Sequence, residues 1–289
     1  MKLSVCTISF RHHLTSIGAL ARWAKAEGFD GIELWGPHAR NLAARTNYDA
    51  GWLRSIGLEV SMLSDYLPLE AALPELERKV TLLSDLAKRW GTKKVRTFAG
   101  DVASAGLCGE RRQRIVNGLR TACELLQRDD LRLLVETHPN TLADTLASTE
   151  RLLEEVDHPR LWLNFDVLHL WEAGDEPRTA LSVLRSRVAH YHLKNVKARC
   201  LLHAFAPANV YSPAGAREAM VSLFEGAFDY RPFLESLAGD DGAEASLEWF
   251  GDDVERTLSR DRASIAELFS ARRLGARPLR TSLGGSRTH

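Results

Sequence analysis

Four residues able to hold a metal ion occupy matching places in the second half of the chain: Glu136 in RLLVET, Asp166 in LWLNFD, His192 in VAHYHLK and Glu248 in ASLEWF. Each lies at or near the end of a short apolar or β-branched run that reads as a strand. Strand side chains alternate between two faces, so residues of one parity share their surroundings. On that basis Leu134, Glu136 and His138 share a side, as do Asn164 and Asp166, then His190, His192 and Lys194, then Ser246 and Glu248. Val135, Leu163, Phe165, Leu193 and Leu247 take the opposite side, which is expected to face helices. An ionised carboxylate in the polar interior that remains is too costly to stand unpaired, so Glu136, Asp166 and Glu248 need protons, cations or a metal. One divalent ion satisfies all three. Three oxygen donors and one imidazole suit Mn²⁺ or Mg²⁺, with Co²⁺ also within range, better than a thiolate-loving ion.

The elements that must position these residues follow from periodicity. Eight apolar runs read as strands: Leu3 to Phe10, Gly31 to Trp35, Leu58 to Ser64, Lys94 to Phe98, Arg132 to Thr137, Leu161 to Asp166, Val188 to Lys194 and Ala245 to Phe250. Amphipathic helical patterns separate them, at Thr15 to Glu27, Leu73 to Trp90, Glu110 to Gln127, Leu142 to Val156 and Val254 to Phe269. Eight strand–helix pairs in 289 residues point to a (β/α)₈ TIM barrel, whose sites form at the carboxyl ends of the strands. G-x-G-x-x-G after a strand, the Walker lysine motif, G-x-S-x-G and H-E-x-x-H are all missing, which argues against an open doubly wound sheet.

Blander readings stand beside the metal. A single interior glutamate serves equally well as the partner of an arginine such as Arg96, whereas four donors at matching strand ends favour a metal, because ligands cluster and ion pairs need not. Glu33, in GIELW, reads as an interior hydrogen-bonding residue low in the barrel. His12, His13, His38 and His158 read as surface or loop residues, and the tryptophans as core, with Trp35 and Trp249 placed to wall a pocket. Val196 to Gly226 is too long for an ordinary βα loop, and its Phe205, Tyr211 and Phe224 favour an ordered lid. Residues 1–272 are expected to form one barrel domain. The Arg-, Gly- and Ser-rich residues 273–289 are expected to be disordered and to contribute little to folding.

Composition narrows the class. Thirty-eight Lys plus Arg balance 38 Asp plus Glu, which gives no electrostatic case for nucleic acid or an anionic membrane and points to a small-molecule partner. Four cysteines without C-x-x-C spacing fit a reducing cytoplasm. No apolar run suggests a signal peptide or a membrane span. A homo-oligomer is compatible with the sequence, which leaves the oligomeric state open.

Longer motifs add a resemblance. CTISFRH, GFDGIELWGPHARNL, SDYL, VRTFAG, ETHPNTLADTL, DVLHLWE, HYHLKN, NVYSPAG, LFEG and SLEWFG run from the first strand to about Arg272. Together they resemble the bacterial 3-dehydroshikimate dehydratases of petrobactin siderophore biosynthesis, within the sugar isomerase and epimerase-like (xylose isomerase-like) TIM barrels. GIEL is shared widely across that superfamily; ETHPNTL, HYHLKN and SLEWFG in combination are far more specific. The resemblance implies a mononuclear Mn²⁺-dependent dehydratase that turns 3-dehydroshikimate into 3,4-dihydroxybenzoate (protocatechuate). Its metal ligands would fall on Glu136, Asp166, His192 and Glu248, the quartet already singled out by parity. Its pocket residues would fall on Tyr66, Arg96, His138, His169 and Lys194. AGAREAMV departs from a more glycine-containing stretch of the family's lid, and the Arg-rich tail has no counterpart.

On this basis His138 is expected to take the C4 proton, with His169 as the alternative base, while a metal on the carbonyl oxygen stabilises the enolate. Arg96 and Lys194 would hold the substrate, and Tyr66 with the lid aromatics would exclude water. A metal-dependent ketose epimerase or isomerase would use the same donors and return the proton. A DNA-repair endonuclease of the superfamily would need more ligands and a basic groove, and a non-catalytic sugar-binding barrel would need no interior metal set.

Overall fold

Eight parallel strands close into a barrel in the computed structural model, which describes residues 1–275, with side chains as far as Ser270. The strands are β1 (Lys2–Cys6), β2 (Gly31–Trp35), β3 (Glu59–Ser64), β4 (Lys94–Thr97), β5 (Arg132–Glu136), β6 (Leu161–Asp166), β7 (Val188–Leu193) and, after the hairpin β8 (Asn195–Val196) and β9 (Met220–Val221), β10 (Glu244–Leu247). Their order around the barrel is β1-β10-β7-β6-β5-β4-β3-β2, so β10 closes the sheet against β1. The expected (β/α)₈ architecture is therefore present.

Strand parity sorts the two layers. Leu3, Val5, Ile32, Leu34, Val95, Leu133, Val135, Leu163, Phe165, Leu193 and Leu247 belong to the main core, packed with helix residues such as Leu83, Trp90, Leu119, Leu152, Phe233 and Leu258. Each fully buried Leu or Phe contributes about 1.5–3 kcal/mol through water exclusion, so this layer carries the fold and leaves the axis free for polar groups. Local signals start the helices. Ser16 caps Ile17–Ala26 by accepting from Ala19 N, and Thr145 caps Leu146–Val156 by accepting from Ser148 N. That second cap moves the start of the helix from the expected Leu142 to Leu146. At Gly31 a Cβ would lie 2.5 Å from the Glu59 carbonyl oxygen, so only glycine lets β2 approach β3 there.

Two strands end three or more residues earlier than their composition suggests. The expected strand Leu3 to Phe10 stops at Cys6 and becomes a 3₁₀ turn over Thr7–Phe10, because the Thr7 hydroxyl takes the Trp35 N–H instead of continuing the ladder. The expected Ala245 to Phe250 runs as Glu244–Leu247, since Trp249 N turns aside to Ser9 Oγ. A bulge between Ile32 and Glu33 leaves Ser61 of β3 unpaired in the register and brings Met62 opposite Glu33.

The expected lid is ordered. It comprises a 3₁₀ segment Arg199–Phe205, a helical turn Pro207–Val210 and the β8–β9 hairpin, and a second apolar cluster of Cys6, Ile8, Leu168, Val196, Leu202, Phe205, Val210, Met220 and Phe250 fastens it over the barrel mouth. Asn195 Nδ2 donates to the Leu223 and Phe228 carbonyls, and Asp261 accepts from Ser222 Oγ and Leu223 N, fixing the lid's return. The last helix, Val254–Gly275, overruns the expected domain end at Arg272; residues 276–289 of the expected tail lie outside the described residues. All four cysteines are free thiols, and no described helix is long and apolar enough to cross a membrane.

Candidate active site

The carboxyl ends of β5, β6, β7 and β10 bring the four sequence-selected donors to one point. His192 is completely buried, and its Nδ1 lies 3.4 Å from Glu136 Oε1, 3.5 Å from Glu248 Oε1 and 3.9 Å from Asp166 Oδ2. That nitrogen makes no hydrogen bond among the described residues. The donor atoms of Asp166, His192 and Glu248 all fall within 4.8 Å of one another, as do those of Glu136, Asp166 and His169. Glu136 and Glu248 make their other contacts through their second oxygens, whereas the Asp166 Oδ2 that faces His192 also accepts from Lys194 Nζ at 2.6 Å. Glu136 Oε2 meets Arg96 Nε at 2.9 Å and accepts from Asn164 Nδ2, Asp166 Oδ1 accepts from His169 N, and Glu248 Oε2 accepts from Lys194 Nζ at 2.8 Å. The Arg96 pairing foreseen as the bland alternative thus coexists with a second, inward-facing glutamate oxygen.

Charge balance tests whether these residues fit a cation. Four buried carboxylates, Glu33, Glu136, Asp166 and Glu248, face two buried cations, Arg96 and Lys194, so with neutral imidazoles two negative charges are in excess. A divalent ion neutralises that excess, and the unbonded His192 Nδ1 supplies the missing lone pair. The residues fit. Without an ion the same excess favours a proton on His192, which a metal would replace: burial alone would lower the Lys194 and His192 pKa values, yet the surrounding carboxylates push both well above the ordinary range. Burial opposes ionisation of Glu136, but Arg96 and His192 hold it well below the usual carboxylate value.

Above this cluster lies a cavity of about 170 Å³ lined by Ile8, Tyr66, Arg96, Phe98, Glu136, His138, His169, Lys194, Phe205, Pro207, Val210, Tyr211, Glu248 and Phe250. All five pocket residues implied by the resemblance are in that lining. The His138 and His169 rings lie 4.4 Å apart between centroids. His138 Nδ1 donates to the Pro139 carbonyl at 2.8 Å, which leaves Nε2 unprotonated. Burial, then the nearby His169, lowers the His138 pKa to about 3, so this imidazole is neutral throughout the physiological range. His169 Nδ1 pairs with Glu172 Oε2 at 2.9 Å. Arg96 lies beneath Tyr66 and Phe98, with its Nη1 buried and without a hydrogen-bond partner among the described residues. The Tyr66 hydroxyl is hydrogen-bonded to that of Tyr211, which reaches it from the lid.

Other expectations are redistributed. Trp35 and Trp249 do not line this cavity: Trp35 stacks against Tyr211 from outside, and Trp249, of opposite parity to Glu248, donates to the Asp252 carbonyl. Phe224 packs near Arg231 rather than over the mouth. His38 is half-buried on the short helix Gly36–Asn41, with Nδ1 3.1 Å from the Thr7 hydroxyl. Sequence reasoning missed Ile8, Phe98 and Phe250 as pocket walls, Glu172 behind His169, and the contact of Glu33 with His192. The D-x-x-H-x-x-E spacing of Asp166, His169 and Glu172, which puts all three on one face of a short helix after a strand, was the available signal for Glu172.

A closed parallel barrel with a carboxylate–imidazole set at its carboxyl-terminal mouth defines the class, and the chain belongs to the xylose isomerase-like TIM barrel family, whose model matches residues 21–270. Among its relatives is the 3-dehydroshikimate dehydratase of Bacillus anthracis, 45% identical over 267 residues that cover 90% of this chain and 95% of the relative. The crystal structure of the probable 3-DHS dehydratase AsbF, involved in petrobactin synthesis in that organism, superimposes with a TM-score of 0.88 at 44% identity, covering 92% of this chain and 99% of the other. The IOLI protein, solved with a bound zinc atom, shares the fold at 15% identity and a TM-score of 0.71, covering 94% of this chain and 97% of that one.

Proposed function

We propose that this chain is a cytoplasmic, metal-dependent 3-dehydroshikimate dehydratase that forms 3,4-dihydroxybenzoate, the catechol unit that petrobactin-type siderophore synthesis consumes. The observation that carries this is the pair of excess negative charges buried around His192 Nδ1 beneath the lid, in a chain 45% identical to a dehydratase of that name. Glu136, Asp166, His192 and Glu248 would hold the ion. Mn²⁺ suits three hard oxygens and one imidazole, ahead of Mg²⁺ and Co²⁺. When bound, it supplies Lewis-acid stabilisation of the negative charge that develops on the substrate's C3 carbonyl oxygen.

The chain's own residues do the rest. The Arg96 guanidinium, with a free Nη1, binds the substrate carboxylate, and the Lys194 ammonium holds a hydroxyl. His138 Nε2 accepts the C4 proton, since its other nitrogen is committed to Pro139. The C5 hydroxyl then leaves as water, taking up one proton, and the ring carbonyl enolises to the catechol. Aromatisation makes the overall loss of water irreversible. Tyr66, Tyr211, Phe205 and Phe250 close the space around a single ring and exclude solvent, and about 170 Å³ is small beside the roughly 300–1,000 Å³ of drug-sized ligand sites. In this reading residues 1–272 are the single catalytic domain, and a chain shortened to Gly275 keeps its turnover and melting temperature.

The test is to incubate Mn²⁺-loaded protein with 3-dehydroshikimate and follow the ultraviolet absorbance of the aromatic product. Appearance of 3,4-dihydroxybenzoate, abolished by a chelator and restored by Mn²⁺, is the expected result. Exchange of the C4 proton into deuterated water without any aromatic product would instead assign an epimerase or isomerase.

A further inference from the structure

Glu33 stands outside the four-donor set yet touches it. It lies on β2, across the barrel from the donor-bearing strands, and is completely buried. The bulge at Ser61 lets Glu33 and Met62 both face the axis, although the strands pair in shifted register. Its Oε2 accepts from His192 Nε2 at 2.8 Å, while His190 Nε2 is 3.7 Å away and is instead hydrogen-bonded to Ser246 Oγ at 2.7 Å. Glu33 Oε1 has no hydrogen-bond partner among the described residues, so the carboxylate's one short contact is with His192.

An imidazole has two nitrogens, and a hydrogen on Nε2 leaves a lone pair on Nδ1. A carboxylate accepting from Nε2–H favours that tautomer and holds the ring plane, with Nδ1 aimed at Glu136, Asp166 and Glu248. It also places negative charge behind the ring, which strengthens Nδ1 as a donor.

We propose that Glu33 is the positioning residue of the metal site: through His192 it fixes the tautomer, the ring orientation and the donor strength of the nitrogen that meets the ion. This rests on the metal reading above. Two variants separate the charge from the hydrogen bond. In Glu33→Gln the amide oxygen still accepts from Nε2–H but the charge is gone; in Glu33→Met both are gone at similar volume.

The probe is Mn²⁺ alone, titrated into metal-free protein and read by the electron paramagnetic signal of the free ion. Removing an outer partner of a ligating histidine weakens metal binding by about 10–100-fold. The Mn²⁺ Kd should therefore rise about 10-fold in Glu33→Gln and towards 100-fold in Glu33→Met. The metal-free melting temperature of Glu33→Gln should not fall, and its turnover should recover in large part at saturating Mn²⁺, which a merely structural defect would not allow. Wild-type Mn²⁺ affinity in a folded Glu33→Met overturns the inference and leaves the metal reading intact. Absence of Mn²⁺ binding by the unaltered protein overturns both.

Discussion

The barrel axis carries a buried or largely buried lysine near each end, and the two are treated differently. At the amino-terminal end Lys94 Nζ meets one carboxylate, Glu244, at 2.7 Å and the Ala189 carbonyl at 3.0 Å. One positive charge faces one negative charge, and burial outweighs the attraction, so the Lys94 pKa is lowered. At the carboxyl-terminal end Lys194 Nζ meets Asp166 at 2.6 Å and Glu248 at 2.8 Å, with Glu136 close behind, and its pKa is raised well above the ordinary value. The lower pair is electrically complete and acts as a plug. With its imidazoles neutral, the upper cluster keeps an excess of negative charge over Arg96 and Lys194. On the proposed reading, that difference separates a structural ion pair from a site prepared for a cation and an anionic substrate.

The largest expected effect removes the upper excess. Glu136→Gln, Asp166→Asn and Glu248→Gln should each lose metal, measured by elemental analysis, and lower turnover by about 1,000-fold or more, the several kcal/mol that a Lewis-acid metal contributes. Glu244→Gln at the lower end should keep both metal and turnover. Full metal content and unimpaired turnover in the three upper variants would erase the contrast.

The next effect concerns proton transfer. His138→Asn should keep its metal and lose about 100-fold or more in turnover, the usual contribution of a positioned general base. With its pKa lowered to about 3, His138 is unprotonated and able to accept at every pH from 8 down to about 5. The rate should therefore show no acid limb in the ordinary imidazole range, where an unperturbed histidine would have imposed one. A limb near pH 6.5 would overturn His138 as the base, and C4–deuterium exchange at the wild-type rate in His138→Asn would move that role to His169.

The smallest effect tests the plug. Lys94→Met strands Glu244, whose side chain is 29% exposed, so the cost should be about 1–3 kcal/mol in chemical denaturation, below the value for a fully buried pair. Turnover per folded molecule should stay within about 2-fold. Adding Glu244→Leu should restore stability, because two apolar residues can replace a balanced pair. A large loss of turnover in Lys94→Met would show that the lower end is coupled to the chemistry.

Much of this site was legible before any tertiary contact. Glu136, Asp166, His192 and Glu248 were accessible because a strand period of two, read against the apolar partners Val135, Leu163, Leu193 and Leu247, decides which side chains share the barrel axis. Boundaries were less legible. Thr7 and Ser9 end β1 and β10 through hydroxyl bonds to strands far away in sequence, and the bulge at Ser61 reverses parity in mid-strand. The lid was visible as an overlong connection, but which of its aromatics reach the cavity was not: Phe205 and Tyr211 do, and Phe224 does not.

What the sequence determined by itself was the alternation of elements, the closed parallel barrel and the four donors at its mouth, because these follow from local periodicity and repeated spacing. Only the tertiary structure decided that Glu33, 159 positions before His192, meets its Nε2, that Pro139 commits His138 Nδ1, and that Lys94 is balanced while Lys194 stands in a charge excess. Such facts depend on which side chains converge across the axis when the ring of strands closes, and neither residue type nor spacing along one strand encodes that convergence.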